Sequence, residues 1–146
     1  MATLKVNITE SITLNGSNYG AKNTLSVSGI NEVDKRVISV TNASNGTQIY
    51  AGAAAAGQGT FVHANVKYVR ITNMDSSNFV TLHLEHESGG GHYCQFKLEA
   101  GKSFILGNSK IDDDDDIDDF VAVDIDKIEA KADTAAVKLE VYVATA

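Results

Sequence analysis

Residues 66–98 contain three runs in which apolar and polar residues alternate, and two turn sequences separate these runs. The runs cover residues 66–72, 79–86 and 92–98. Because successive side chains along a strand point to opposite faces, each run predicts a strand with one apolar face. The intervening residues 73–78 and 87–91 are rich in Asn, Asp, Ser and Gly, which favour turns. The segment therefore predicts three consecutive antiparallel strands, a meander.

A single pairing register places the apolar residues of all three predicted strands on one face. Pairing His86 with His92 puts Leu84 opposite Cys94, and a shift of one residue would mix the two faces. The predicted inward residues are Val69, Ile71, Val80, Leu82, Leu84, Cys94, Phe96 and Leu98. The predicted outward residues are Tyr68, Arg70, Thr81, His83, Glu85, Tyr93, Gln95 and Lys97.

The rest of the chain has the same character. Residues 137–143 alternate most strictly, short strand-like runs recur from the N-terminus onward, and Asn15-Gly16 is a strong hairpin signal. With no long helical period, the pattern predicts an all-β fold: a single antiparallel β-sandwich of jelly-roll-like character over residues 1–146. The chain has no proline to blunt exposed sheet edges, so we expect other segments or neighbouring subunits to cover them.

Composition narrows the possible partners and compartment. The net charge of -7 argues against nucleic acid and anionic membranes as partners, since phosphate binding requires clustered Lys and Arg. The 146 residues contain no apolar run typical of a secretion signal or a membrane span. Cys94 is the single cysteine, which excludes an internal disulfide and a cysteine-based metal site. Its inward position predicts a buried, inert thiol.

Several motifs resemble functional sites without completing one. Gly101-Lys102-Ser103 lacks the upstream glycine of a phosphate-binding loop. The acidic run Asp112–Asp119 could attract calcium, but it lacks the glycine and the glutamate of a helix–loop–helix calcium site. We interpret it as a solvated loop, and calcium binding there stays open.

Histidines and nucleophiles also give no complete site. His86 and His92 face each other in the predicted register, but two imidazoles without a third ligand do not make a metal site. His83 is expected in a polar ladder beside Gln95 and Glu85. No serine or cysteine nucleophile has a base at a recognisable spacing. We therefore predict no catalytic residue, no cofactor and no metal ligand, and the protein is not expected to be an enzyme.

Three segments resemble small virion structural proteins of tailed bacteriophages. Residues 69–80 resemble the pattern R-[IV]-T-N-x-D-x-[ST]-N-[FY]-V, and residues 96–104 contain L-x-A-G-x-S-F. Residues 128–137 contain I-x-A-x-A-D-T-A, and residues 3–14 are also similar to this group. The resemblance implies a non-enzymatic virion component, first a head decoration or cement subunit and second a tail or fibre component.

The resemblance also implies partners and a location. We expect the major capsid protein or tail subunits as partners, self-association into a homo-oligomer, and residence in the virion after synthesis in the host cytoplasm. Tyr68, Arg70 and Tyr93 are the predicted assembly interface, because Tyr and Arg are enriched at interface hot spots. A different class of function is a carbohydrate- or host-binding β-module, which the absence of Trp and the presence of only five Tyr disfavour.

Overall fold

The computed structural model describes residues 1–86, 92–112 and 121–146, and for His92 only the backbone. In these ranges the chain forms β-strands and one short 3₁₀ helix, His63–Asn65, so the prediction of an all-β fold is confirmed. The strands are β1 (Ala2–Glu10), β2 (Thr13–Leu14), β3 (Ser17–Asn18), β4 (Ala21–Ile30), β5 (Glu32–Val40), β6 (Thr47–Ala53), β7 (Phe61–Val62), β8 (Val66–Asn73), β9 (Val80–His86), β10 (His92–Leu98), β11 (Ser103–Leu106), β12 (Lys110–Asp112), β13 (Ala122–Asp124), β14 (Lys127–Ala132) and β15 (Val137–Thr145).

Two larger sheets contribute to one hydrophobic core. One has the strand order β10-β9-β14-β6-β7 and the other the order β11-β8-β15-β5. The pairings are antiparallel except for that between β6 and β7. Leu82 and Ile128 from the five-stranded sheet lie in the same buried cluster as Ile71 and Val141 from the four-stranded sheet. The strict alternation of residues 137–143 reflects the central position of β15, since its inward side chains are fully buried.

The predicted meander is correct for the pairing of its second and third strands and wrong for the pairing of its first and second, and the predicted turn at residues 87–91 lies outside the described residues. β9 and β10 pair in the predicted register, with Leu84 opposite Cys94 and Leu82 opposite Phe96. β8, however, pairs with β11 and β15, while β9 pairs with β14. Residues 74–79 therefore carry the chain from one sheet to the other. The alternating pattern of β8 fits a position in either sheet, because the inward faces of both sheets contribute to the same core.

Polar side chains shape this corner. Asn73 donates its side-chain amide to the carbonyl oxygens of Asn78, at 2.9 Å, and Leu98, at 3.2 Å. Asp75 Oδ1 accepts the backbone N–H groups of Ser77, at 2.8 Å, and Asn78, at 2.7 Å. These hydrogen bonds hold the Asp75 carboxylate in place. The pKa of Asp75 lies below its ordinary value because the N–H groups of Asn78 and Ser77 stabilise its charged form.

The position of β10 at a sheet edge limits the burial of its inward residues. Cys94 packs against the core but is only half-buried. Phe96 is 43% exposed and contacts Phe104 of the other sheet, with ring centroids 5.0 Å apart. The prediction that Cys94 faces inward is confirmed, but its complete burial is wrong, because no further strand covers β10 on its outer side in the described sheet.

The N-terminal strands form a separate two-stranded ribbon. β1 pairs with β4, and β2 pairs with β3 around a turn in which Asn15 has φ 52° and Gly16 has φ 78°. Two consecutive positive φ angles are the signature of the tight hairpin turn that Asn-Gly favours, so the predicted turn is confirmed. The base of the ribbon packs on the four-stranded sheet, where Leu4, Val6 and Val27 contact the buried cluster of Ile30, Tyr68 and Ala144.

Candidate functional site

The three predicted interface residues do not share one face. Tyr68 and Arg70 lie on β8 in the four-stranded sheet, whereas Tyr93 lies on β10 in the five-stranded sheet. Tyr68 is only 3% exposed because the base of the ribbon covers it, Arg70 is half-buried, and Tyr93 is 63% exposed. The prediction that these residues share one polar face is therefore wrong, because β8 and β10 lie in different sheets. A role of these residues in assembly stays a prediction.

Arg70 is held on its own sheet by several partners. Its guanidinium donates to Thr72 Oγ1 at 2.7 Å and to the carboxylate of Glu140, and it lies 5.8 Å from the ring centroid of Tyr142. Lys35 Nζ is 3.1 Å from the other oxygen of Glu140. The hydrogen bonds from Arg70 and Lys35 lower the pKa of Glu140 below its ordinary value. Arg70 thus belongs to a fixed ionic network.

A cleft of about 370 Å³ lies between the ribbon and this ionic network. Leu4, Val6 and Ile8 line it from the ribbon, and Tyr68, Arg70, Ser103, Ile105 and Tyr142 are among the residues that line it from the sheet. Ile8 and Ile105 are 47% and 40% exposed. The cleft therefore presents apolar side chains to solvent beside charged groups that are already paired.

The outer part of the ribbon has an apolar surface that the described body does not cover. Leu4 pairs with Val27 and Val6 with Leu25, so these residues share the face that continues to Ile8. Exposure rises outward along the ribbon to large apolar side chains that are about half exposed or more, namely Ile8, Ile12, Leu14, Tyr19 and Leu25. We call these five residues the ribbon patch. Large contiguous apolar areas on a protein surface mark interaction sites.

The sequence predicts strands here, but it does not predict that they extend beyond the body. Alternation around Asn15-Gly16 indicates a hairpin, but it does not show whether a second surface covers the hairpin's apolar face.

Side chains on the outer face of the five-stranded sheet form a polar array. Cross-strand pairing aligns Tyr93 with Glu85 and Lys127 in one row, and Gln95 with His83 and Glu129 in the next row. The His83 ring stacks on Tyr93 with centroids 4.7 Å apart, and His83 Nδ1 lies 3.1 Å from Gln95 Nε2. The predicted polar ladder of His83 with Gln95 and Glu85 is confirmed.

A second polar group lies at the ends of β9 and β13. Asp126 is placed between two imidazoles, with Oδ1 3.2 Å from His63 Nε2 and Oδ2 3.2 Å from His86 Nδ1. Asp124 Oδ2 lies 3.7 Å from His63 Nδ1. The predicted backbone pairing of His86 with His92 is confirmed, but the side chain of His86 is engaged with Asp126. The sequence does not indicate this group, because His63 is distant from the two aspartates along the chain.

The acidic run predicted as a solvated loop lies mostly outside the described residues. Of the acidic run Asp112–Asp119, only Asp112 lies within the described residues, at the end of β12. Across the described ranges, one group of side chains brings three potential metal ligands together, and it consists of His83, Glu85 and Glu129. Among the same residues, no helix has the length and apolar character needed to cross a bilayer.

Compared with known proteins, the chain matches no family model, no curated protein and no solved structure.

Proposed function

We propose that the protein is a non-enzymatic structural subunit of a bacteriophage virion, and that it acts first as a decoration or cement subunit on the head surface. The ribbon patch carries this proposal, because it offers apolar area that the described part of its own body leaves exposed. The resemblance of four sequence segments to phage virion proteins is the reason for proposing this class of function. We further propose that the two larger sheets form a jelly-roll-like β-sandwich that holds the ribbon.

Such a subunit stabilises the virion because many copies of it bind at equivalent positions. Each ribbon inserts its apolar face against a neighbouring virion protein, and each contact buries a modest area. Binding to the assembled shell but not to its separated parts stabilises the shell by mass action, and many copies add their contributions. Self-association into a closed homo-oligomer would cover the proline-free edge strands β5, β7, β10 and β11. A tail or fibre location would use the same surface with fewer copies.

A carbohydrate- or host-binding function is a second candidate, because Tyr93 presents an exposed ring beside a polar cleft. The cleft has a volume of about 370 Å³ and is lined by Asn45, His83, Gln95, Glu129 and Lys131, among others. An aromatic face next to amide and charged groups is a combination that can bind a sugar ring. The stack with His83 fixes the Tyr93 ring in place.

Quantitative mass spectrometry of purified virions tests the structural proposal. We expect hundreds of copies for a head or tube component and about a dozen or fewer for a fibre or fitting. Absence of the protein from purified virions would contradict any structural role. A glycan array tests the second candidate: saturable binding that Tyr93→Ala abolishes would favour it.

A binding experiment with empty shells tests the ribbon. We expect Ile8→Ser combined with Leu25→Ser to reduce co-sedimentation with shells. The matched control is Met74→Ser with Val121→Ser, which removes similar exposed apolar area from the body outside the strands. If both double variants bind shells as well as the wild-type protein does, the docking surface is not the ribbon patch.

A further inference from the structure

His83 and Glu85 on β9 and Glu129 on β14 bring one imidazole nitrogen and two carboxylates together on the outer face of the five-stranded sheet. One ligand atom from each residue lies within 4.8 Å of the other two. His83 Nε2 is 3.5 Å from Glu85 Oε2. Two ligands of one tetrahedral zinc ion, each about 2.1 Å from it, lie about 3.4 Å apart. We propose that these three residues bind a divalent first-row transition metal such as Zn²⁺.

The strand register places the three ligands with little freedom. Glu129 is the direct cross-strand partner of His83, and Glu85 lies two positions further along β9 on the same face. Both β9 and β14 have hydrogen-bonded neighbours on each side in the sheet. The three side chains are only 21–27% exposed. A metal would therefore meet ligands on a rigid support, without the closure of a loop.

The donor set selects the class of metal. An imidazole nitrogen with carboxylate oxygens suits zinc and its neighbours in the first transition row. Calcium prefers six to eight oxygen ligands and magnesium prefers oxygen ligands in an octahedron, so neither matches His83 well. Water molecules would complete the coordination shell on the solvent side.

Gln95 is the positioning residue for His83. Its side-chain nitrogen lies 3.1 Å from His83 Nδ1. Rotation of the amide by 180° places the oxygen at the same point, where it accepts Nδ1–H and leaves the Nε2 lone pair for the metal. Ligating histidines commonly have such a partner on the other ring nitrogen, which fixes the tautomer and the ring orientation.

Lys127 supplies a positive charge next to the proposed site. Its ammonium nitrogen lies 2.9 Å from Glu85 Oε2 and 3.7 Å from Glu129 Oε1. A metal that binds both carboxylates must weaken these ion pairs and accept repulsion from the ammonium group. Removal of the Lys127 charge should therefore strengthen metal binding, and this direction cannot result from partial unfolding of a variant.

Zinc titration of the untagged protein by calorimetry tests the proposal. We expect His83→Gln and Glu129→Gln each to weaken one zinc site at least about tenfold, and Lys127→Met to strengthen it. Glu99→Gln and Lys97→Met are matched controls, since these two residues form an exposed ion pair of 2.7 Å and change the net charge equally. The controls should leave the affinity unchanged, and circular dichroism should show all variants folded.

Histidine-ring NMR separates this site from other histidines and acidic groups. Zinc should shift the ring signals of His83 at the lowest metal concentrations, before those of His63 and His86. Zinc affinity that His83→Gln leaves unchanged, or that Lys127→Met lowers, would overturn the proposal. Calcium binding at His83 as tight as zinc binding would overturn the assignment to a transition metal.

Discussion

The imidazole of His63 lies directly against the Cα of Gly52, which leaves no room for a side chain on this residue of β6. A Cβ atom placed on Gly52 would lie 2.3 Å from His63 Nε2 and 2.6 Å from the carbonyl oxygen of Ile125. The backbone N–H of Gly52 also donates to the carbonyl oxygen of Asp126 at 2.7 Å. Gly52 therefore allows the close approach of His63 and the segment before β14.

We expect Gly52→Ala to lower the free energy of unfolding by about 1–3 kcal/mol, because both the ring and the backbone of residue 125 must move. Denaturant unfolding measures this loss. Gly107→Ala is the matched control, since a Cβ atom there meets nothing within 4 Å and the substitution should be close to neutral. Equal stability of the two variants would show that the close contact with His63 relaxes without cost.

The ion pair between Arg70 and Glu140 should make stability depend on pH. The ordinary pKa of a glutamate is 4.5, and hydrogen bonds from Arg70 and Lys35 lower the pKa of Glu140 in the folded state. A lowered folded-state pKa adds stability that is complete above the unfolded-state pKa and is lost as pH falls through the folded-state pKa. We expect Glu140→Gln to cost roughly 1 kcal/mol at neutral pH, since the pair is partly solvated.

Unfolding curves of the wild-type protein and of Glu140→Gln across the acidic range check this dependence. The difference between the two free energies of unfolding should shrink as pH falls below the ordinary glutamate pKa. Glu99→Gln is the control, because the pair of Glu99 with Lys97 is exposed and its loss should have little effect. A difference that is constant with pH would mean that the carboxylate charge contributes nothing.

The sequence patterns predicted which residues form strands better than they predicted which strands pair with each other. The register of β9 and β10 followed from a short turn between two alternating runs, because few other pairings keep the apolar residues together. The partner of β8 did not follow, because Val69 and Ile71 are buried equally well whether β8 lies beside β9 or on the other sheet. The position of β8 is determined by its pairing with β15 and β11, which are distant in sequence. The period of the apolar residues does not indicate these partners.

The candidate sites show the same limit. The pairing of His83 with Gln95 was predictable from the hairpin register, whereas Glu129 joins them through β14, whose place in the sheet depends on the whole topology. The alternation of side chains along β8 predicted that Tyr68 lies on the polar face, and Tyr68 does lie on the outer face of the sheet. The base of the ribbon covers this part of the outer face, so Tyr68 is buried.

The half-buried thiol of Cys94 should react slowly. Burial raises its pKa above the ordinary value, so less thiolate is present at a given pH. We expect alkylation of the native protein by a bulky reagent to be slower than that of the unfolded protein, and its pH profile to lie at higher pH. Cys94→Ala should cost of order 1 kcal/mol. A native rate equal to the unfolded rate would show that the packing of Cys94 against the core does not protect it.

Substitutions at the base of the ribbon should lower stability, and substitutions in its outer part should weaken association, because only the base packs on the body. Val27 contacts the cluster around Tyr68, whereas Leu25 is 44% exposed two residues away on the same face. We expect Val27→Ala to lower the free energy of unfolding by about 1 kcal/mol and Leu25→Ala by less than about 0.5 kcal/mol. Thermal unfolding at low protein concentration measures both.

Replacement of residues 9–22 by Asn-Gly, which joins the paired residues Ile8 and Asn23, should keep the melting temperature of the body while it weakens co-sedimentation with empty shells. A large fall in melting temperature for this shortened ribbon would show that its outer part stabilises the subunit itself, and unchanged binding to shells would place the docking surface elsewhere.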